Sequence, residues 1–188
     1  AQIPCEAGTY QDETGKDECE QPSNGYYSPG TVGGSNVDSS VTTVASSVHG
    51  TPCSEGTYSS YTPSNTSADA VSCSVAAAGH YSLGTYDLNG ANYPAISETD
   101  CVAGTWQNET GKSSCKDAEA GYYSPGSSLN PAIIQTPCAA GKYQASTGQS
   151  FCDHADVGYY SPGTAAFSAT LGWANATAQI PCEAGTYS

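Results

Sequence analysis

The 188 residues predict a small disulfide-rich all-β protein, with tandem one-disulfide β-hairpin modules stacked into an elongated rod and few or no helices. Three observations predict it. Nine Cys recur at regular spacing, never nearer than 14 positions to one another. The composition lacks the material of an ordinary core: no Met, two Phe and two Trp stand against 21 Gly, 11 Pro, 26 Ser and 19 Thr. Short Thr-Gly turn signals sit between successive Cys, flanked by runs suited to two strands. A chain this poor in large apolar side chains does not offset its conformational entropy by burial alone and needs covalent staples.

Regularly spaced Cys in a Gly/Pro-rich chain read as a disulfide framework formed in an oxidising compartment, which places the protein outside the cell. A zinc site would need close ligand pairs such as C-x-x-C, and the spacing offers none. The formal net charge is −14 and Lys+Arg number only four. Such a surface repels a phosphate backbone, so a nucleic-acid partner is excluded. No apolar run approaches the length of a transmembrane helix. A secretory signal and any anchor are expected outside these residues.

Internal repetition organises the chain. The first ten residues, AQIPCEAGTY, return unchanged at 178–187, a period of 177 residues from Ala1 to Ala178. Four modules are expected inside it, at 1–50, 51–98, 99–135 and 136–178, with 179–188 starting the next copy. They open with IPCEAGTYQ, TPCSEGTYS, TDCVAGTWQ and TPCAAGKYQ, and each closes on GYYSPG or, at 79–84, GHYSLG. With two Cys per module, pairing within the module is the simplest of the 105 arrangements that eight Cys allow. The expected bridges are Cys5–Cys19, Cys53–Cys73, Cys101–Cys115 and Cys138–Cys152. Cys182 opens a fifth module, and its partner is expected beyond Ser188. Closing a loop of about 15 residues contributes about 3 kcal/mol, which is large for so small a module.

Turns at DETGK (12–16), NETGK (108–112) and STGQ (146–149) make each module a hairpin, with GYYSPG as a third extended piece. The aromatics Tyr10, Tyr58, Trp106, Tyr143 and Tyr187 are expected over the disulfides, where a ring is buried while a Tyr hydroxyl stays wet. Joining segments carry more apolar residues. Val44, Ile134, Phe167 and Trp173 are read as assembly contacts, largely buried and bridging modules or neighbouring chains, because exposed apolar patches and open strand edges mark interaction sites.

Catalytic chemistry is not in evidence. His49, His80 and His154 lie in no nucleophile or metal motif, and G-x-S-x-G, H-E-x-x-H and phosphate-cradling Gly loops are missing. The protein is read as a non-enzyme without a cofactor. Asp12, Glu13, Asp17, Glu18 and Glu20 form an acidic face whose one functional reading is weak or interfacial Ca²⁺ binding. Asn65, Asn108 and Asn175 each begin an N-x-[ST] sequon and are candidate N-glycosylation sites, with covalent glycans as the expected modification.

The pattern C-x-A-G-T-Y-Q, then T-G, then Cys, then G-Y-Y resembles the ephrin-receptor-like and growth-factor-receptor-like cysteine-rich repeats. These recur in large repetitive surface and flagellar-hair (mastigoneme-like) proteins of protists and algae. The chain departs from them in lacking a C-x-x-C after the turn, so each module is a one-disulfide reduction. The resemblance implies an extracellular rod. The expected function is a structural subunit of an extracellular glycosylated filament or cell-surface coat, whose partners are copies of itself. The alternative is an adhesive or receptor ectodomain or stalk that binds an extracellular partner.

Overall fold

The computed structural model describes residues 5–28, 31–32, 35–36, 50–60, 72–89, 91–126, 131–164, 166–168, 172–174, 176–183 and 185. Among them there is no helix, and strands of two or three residues pair antiparallel in two-stranded sheets. Four disulfides join Cys5–Cys19, Cys53–Cys73, Cys101–Cys115 and Cys138–Cys152, and Cys182 has no disulfide partner among the described residues. The chain is a small disulfide-rich all-β protein.

The strands are short because turns bound them closely. In the third module Thr105 N donates to Val102 O at 2.9 Å, and Gly104 occupies the third turn position with φ +90°. A β-turn with positive φ at that position requires Gly or Asn. The same turn, with the same Gly, precedes each first strand and each Tyr-Tyr or His-Tyr strand.

By contacts the chain divides into two compact units, 1–76 with 82–98 and 111–113, and 77–81 with 99–110 and 114–188. These bounds cut through the sequence modules. The Lys112 turn belongs with residues of the preceding module because its backbone is hydrogen-bonded to them.

In the first unit Tyr10 bridges Glu20, Thr57–Tyr58 pairs with Ser74–Val75, and Tyr26–Tyr27 pairs with Thr51–Pro52. The joining segment forms its own hairpin, Tyr86–Leu88 with Ala91–Tyr93, in which the Tyr86 and Tyr93 rings stack at 5.1 Å. Thr85 ties this segment down. Its Oγ1 donates to Gly25 O and accepts from Ala95 N. A second joining-segment pair is Thr31–Val32 with Ser35–Asn36.

The second unit repeats the pattern. Thr105–Trp106 pairs with Lys116–Asp117, and Lys142–Tyr143 pairs with Asp153–His154. The Tyr-bearing strands again pair with the next opener: His80–Tyr81 with Thr99–Asp100, Tyr122–Tyr123 with Thr136–Pro137, and Tyr159–Tyr160 with Ile180–Pro181. Thr164 plays the part of Thr85, its Oγ1 bonded to Gly121 O and Ala176 N.

Among the described residues the buried apolar side chains are those of Cys, Ala and Pro22, with Ala76, Ala118 and Ala176 at 1 % exposure or less. Tyr123 and Tyr143 are half-buried against the Cys138–Cys152 bridge and Ala176, which places aromatics over a disulfide. Lys116 Nζ sits 5.2 Å from the Trp106 ring, a cation–π contact at the protein surface.

Ile134 corrects an expectation. It is 65 % exposed, and Ala132 two residues earlier is buried instead. The buried place in a joining segment lies against the backbone of a hairpin, and Ala132 O accepts from Gln107 N at 2.8 Å. Phe167 and Trp173 are backbone cross-strand partners in the pair Ala166–Ser168 with Gly172–Ala174, and their side chains lie outside the described structure. Val44 lies outside the described residues.

Candidate functional site

Three sets of small and polar residues hold the modules together, and these joints form the candidate site. The first is the Ser of the closing signature. Ser28, Ser82, Ser124 and Ser161 are at most 4 % exposed. Their hydroxyls donate to the carbonyls of Thr9, Thr57, Thr105 and Lys142 at 2.7–2.8 Å. Their own carbonyls accept from Gly8, Gly56, Gly104 and Gly141. One buried residue thus bolts the third strand to the hairpin from both its side chain and its backbone.

The second set is the Gln that follows the aromatic. Gln107 is 2 % exposed, and all of its polar groups are engaged. Its Nε2 donates to Ser114 O and its Oε1 accepts from Glu109 N, so the side chain closes the Cys101–Cys115 loop from inside. Its backbone N donates to Ala132 O, and its carbonyl accepts from Gly79 N in the preceding module. Gln144 repeats the arrangement with Phe151 O, Ser146 N, Ala176 O and Gly121 N. Gln11 spans its own loop in the same way, to Glu18 O and Glu13 N. A fully satisfied buried amide stabilises, whereas a half-satisfied one would cost.

The third set is the Thr-Gly turn, which docks on the module before it. Within the first unit, Gly111 N donates to Ala76 O at 2.8 Å and Ser82 N donates to Lys112 O at 3.0 Å. Within the second unit, Gly148 N donates to Ala118 O at 2.7 Å and Ser124 N donates to Gln149 O at 3.0 Å. The approach is close enough that a Cβ on Gly56 or Gly104 would lie 2.1 Å from the carbonyl oxygen of Gly111 or Gly148. Ala76 and Ala118 are completely buried beneath these turns.

Sequence reading singled out Cys, sequons, carboxylates and apolar joining residues, and it passed over Ser, Gln and Ala. Their signals are nevertheless periodic. Ser recurs in every closing signature, Gln follows the aromatic in three modules, and Ala95, Ala132 and Ala176 each stand six positions before an opener Cys.

Of the sequon residues, Asn108 is exposed in the Cys101–Cys115 loop, where its Oδ1 accepts from Lys116 Nζ at 2.9 Å. Asn65 and Asn175 lie outside the described residues. Asp12, Glu13, Asp17, Glu18 and Glu20 are exposed, and Glu13 pairs with Lys16 at 2.8 Å. Among the described residues no group of three or more His, Cys, Asp or Glu is gathered as a metal site. His80 pairs with Asp100, His154 is exposed, and His49 lies outside the described residues. Tyr10 has its phenol pushed above the usual Tyr range, first by burial and then by the Glu20 and Asp12 carboxylates.

The fold and these joints define a class: a disulfide-stapled, all-β protein of repeated hairpin modules. No protein-family model matches the chain, and no curated protein is similar to it in sequence. Four disulfides suit an oxidising compartment. No helix of the described residues is long and apolar enough to cross a membrane.

Proposed function

We propose that this protein is a structural subunit of an extracellular, glycosylated filament or cell-surface coat, built from ephrin-receptor-like modules reduced to one disulfide each. The observation that carries the reading is the docked turn. The same pair of backbone hydrogen bonds joins one module to the next at Gly111 and again at Gly148. Joints made of backbone, Gly, Ala and Ser are indifferent to side-chain chemistry, which suits a polymer that repeats one contact many times. A binding face would instead diversify from module to module, whereas the chain's first ten residues return unchanged at 178–187. The net charge of −14 keeps such a polymer soluble.

Electron microscopy of native secreted material tests the proposal. Regular fibres or a periodic coat are expected. Isolated, flexible molecules that carry a bound partner would overturn the filament and favour the adhesive stalk. Glycopeptide mass spectrometry of the same material should find glycan on Asn108.

A further inference from the structure

The third module departs from the other three at positions that meet in space. Trp106 stands where they have Tyr10, Tyr58 and Tyr143. Lys116, its partner across the strand pair, stands where Glu20, Ser74 and Asp153 oppose those tyrosines. Asn108 stands where they have Asp12, Ser60 and Ala145. The first module reads DETGK through its turn and the third reads NETGK. A single difference therefore makes the shared Thr-Gly turn into the sequon Asn108-Glu109-Thr110, two residues after the one Trp among these aromatics.

One ammonium ties the three departures together. Lys116 Nζ lies 5.2 Å from the centre of the Trp106 ring, 2.9 Å from Asn108 Oδ1 and 3.0 Å from Glu109 Oε1. An ammonium only donates, so it holds the Asn108 amide by its oxygen. Nδ2, the atom that carries an N-glycan, is left without a partner among the described residues. Alternation along the chain agrees. Gln107 is 2 % exposed and turned into the module, while Asn108 is exposed and Trp106 half-buried on the other side of the chain. Thr110, whose hydroxyl completes the sequon, is exposed as well.

The first sugar of an N-glycan suits this ring. A β-linked pyranose has three axial C–H bonds on one face, and their partial positive charge matches the negative face of an indole. The same ring face draws the ammonium, but an exposed ammonium keeps most of its hydration and is held there weakly. We infer that Asn108 carries an N-glycan whose first sugar packs on the Trp106 indole, taking the place of the Lys116 ammonium while Glu109 retains it. In the transfer Nδ2 bonds the anomeric carbon of a lipid-pyrophosphate-linked oligosaccharide and gives up one proton. The carbon–oxygen bond to the pyrophosphate breaks, and its electron pair leaves with the lipid pyrophosphate. This inference deepens the glycosylated reading and rests on it, since it makes the glycan a packed part of the third module.

The full chain secreted from a glycosylating host tests it, with Asn65→Gln and Asn175→Gln to leave one sequon and the glycan trimmed to its first N-acetylglucosamine. Glycopeptide mass spectrometry reads the occupancy of Asn108, and proton NMR reads the axial ring protons of the sugar. Over the indole face these protons should resonate upfield of their positions in Trp106→Val, because the ring current shields them. Wild type should also melt about 2–4 °C above Thr110→Ala, which deletes the sequon and keeps Trp106 and Lys116. That difference should vanish in a Trp106→Val background. A bare Asn108 overturns this inference and the glycosylated reading together. An occupied Asn108 with unshifted sugar protons, or an equal melting difference with and without the indole, overturns the packing alone and leaves the glycosylated coat standing. Peptide mapping of the four disulfides shows which variants have folded. The reduced, denatured glycoprotein supplies the unstacked reference if Trp106→Val has not.

Discussion

His80 Nε2 lies 2.8 Å from Asp100 Oδ1, across the strand pair where the three other modules set Tyr against Pro. The two departures from the repeat, GHYSLG for GYYSPG and TDC for the Pro-Cys opener, are therefore a single compensated change. The side chains are 21 % and 65 % exposed, which places the pair among surface ion pairs worth up to about 1 kcal/mol.

A double-mutant cycle at this pair should show coupling. His80→Tyr and Asp100→Pro should each destabilise, because each leaves a mismatched partner. The double variant restores the Tyr–Pro pair and should return to within about 0.5 kcal/mol of wild type, the usual error of additivity for independent sites. Denaturant unfolding of the four proteins measures it. Strictly additive losses would show that the two positions do not communicate.

Gln107→Leu keeps the volume but strands two partners, Ser114 O and Glu109 N, while the backbone bonds of residue 107 to Gly79 N and Ala132 O remain. Unsatisfied buried polar groups cost about 1–3 kcal/mol each before relaxation to solvent. The Cys101–Cys115 bridge should be reduced faster by dithiothreitol than Cys138–Cys152 in the same molecule. Equal rates in the variant would mean that Gln144 and Gln107 do not guard their loops.

Gly104→Ala and Gly141→Ala separate backbone strain from docking. Both glycines have positive φ, +90° and +80°, so both variants pay about 1–2 kcal/mol for the left-handed conformation. Only at Gly104 does the new Cβ meet a carbonyl, that of Gly148. In dilute solution Gly104→Ala should lower the melting temperature well beyond Gly141→Ala. A similar loss at both would mean that the docked turn yields easily.

Tyr10 supplies the pH dependence. Its phenol is raised above the ordinary value near 10 by burial, with Glu20 and Asp12 adding to it, so the folded protein favours the neutral form. Below the unfolded Tyr pKa this contribution to stability is complete. It is lost as pH rises through the higher folded value, because the unfolded chain then holds fewer protons. Tyr10→Phe should flatten the fall in stability above about pH 10, the ordinary Tyr value. Wild type and variant declining in parallel would assign the slope to other groups.

Much of this architecture is legible in the chain, and the residues show why. The Cys spacing makes a local loop in each module, and local loops close first and most cheaply. Gly at the third position of each turn, Thr-Gly between the Cys, and Tyr-Tyr before the next opener announce the hairpins and their order, because backbone sterics there are decided within four residues. The buried Ala132 and the exposed Ile134 were not legible. Both sit in one apolar run, NPAIIQ, and nothing in its pattern says which position faces a backbone.

Composition and periodicity alone determined that the fold is all-β, stapled and modular, since no other way existed for so few large apolar residues to order so long a chain. Tertiary structure alone decided what fills the joints. Module meets module at hydrogen-bonding distance between backbones, with Gly111 N 2.8 Å from Ala76 O. Gly is required at Gly56 and Gly104, where a Cβ would lie 2.1 Å from a carbonyl oxygen, and the buried Gln107 enters with its amide bonded at both ends. Larger residues such as Ile134 and Val157 are left at the surface because the interior is too thin to take them.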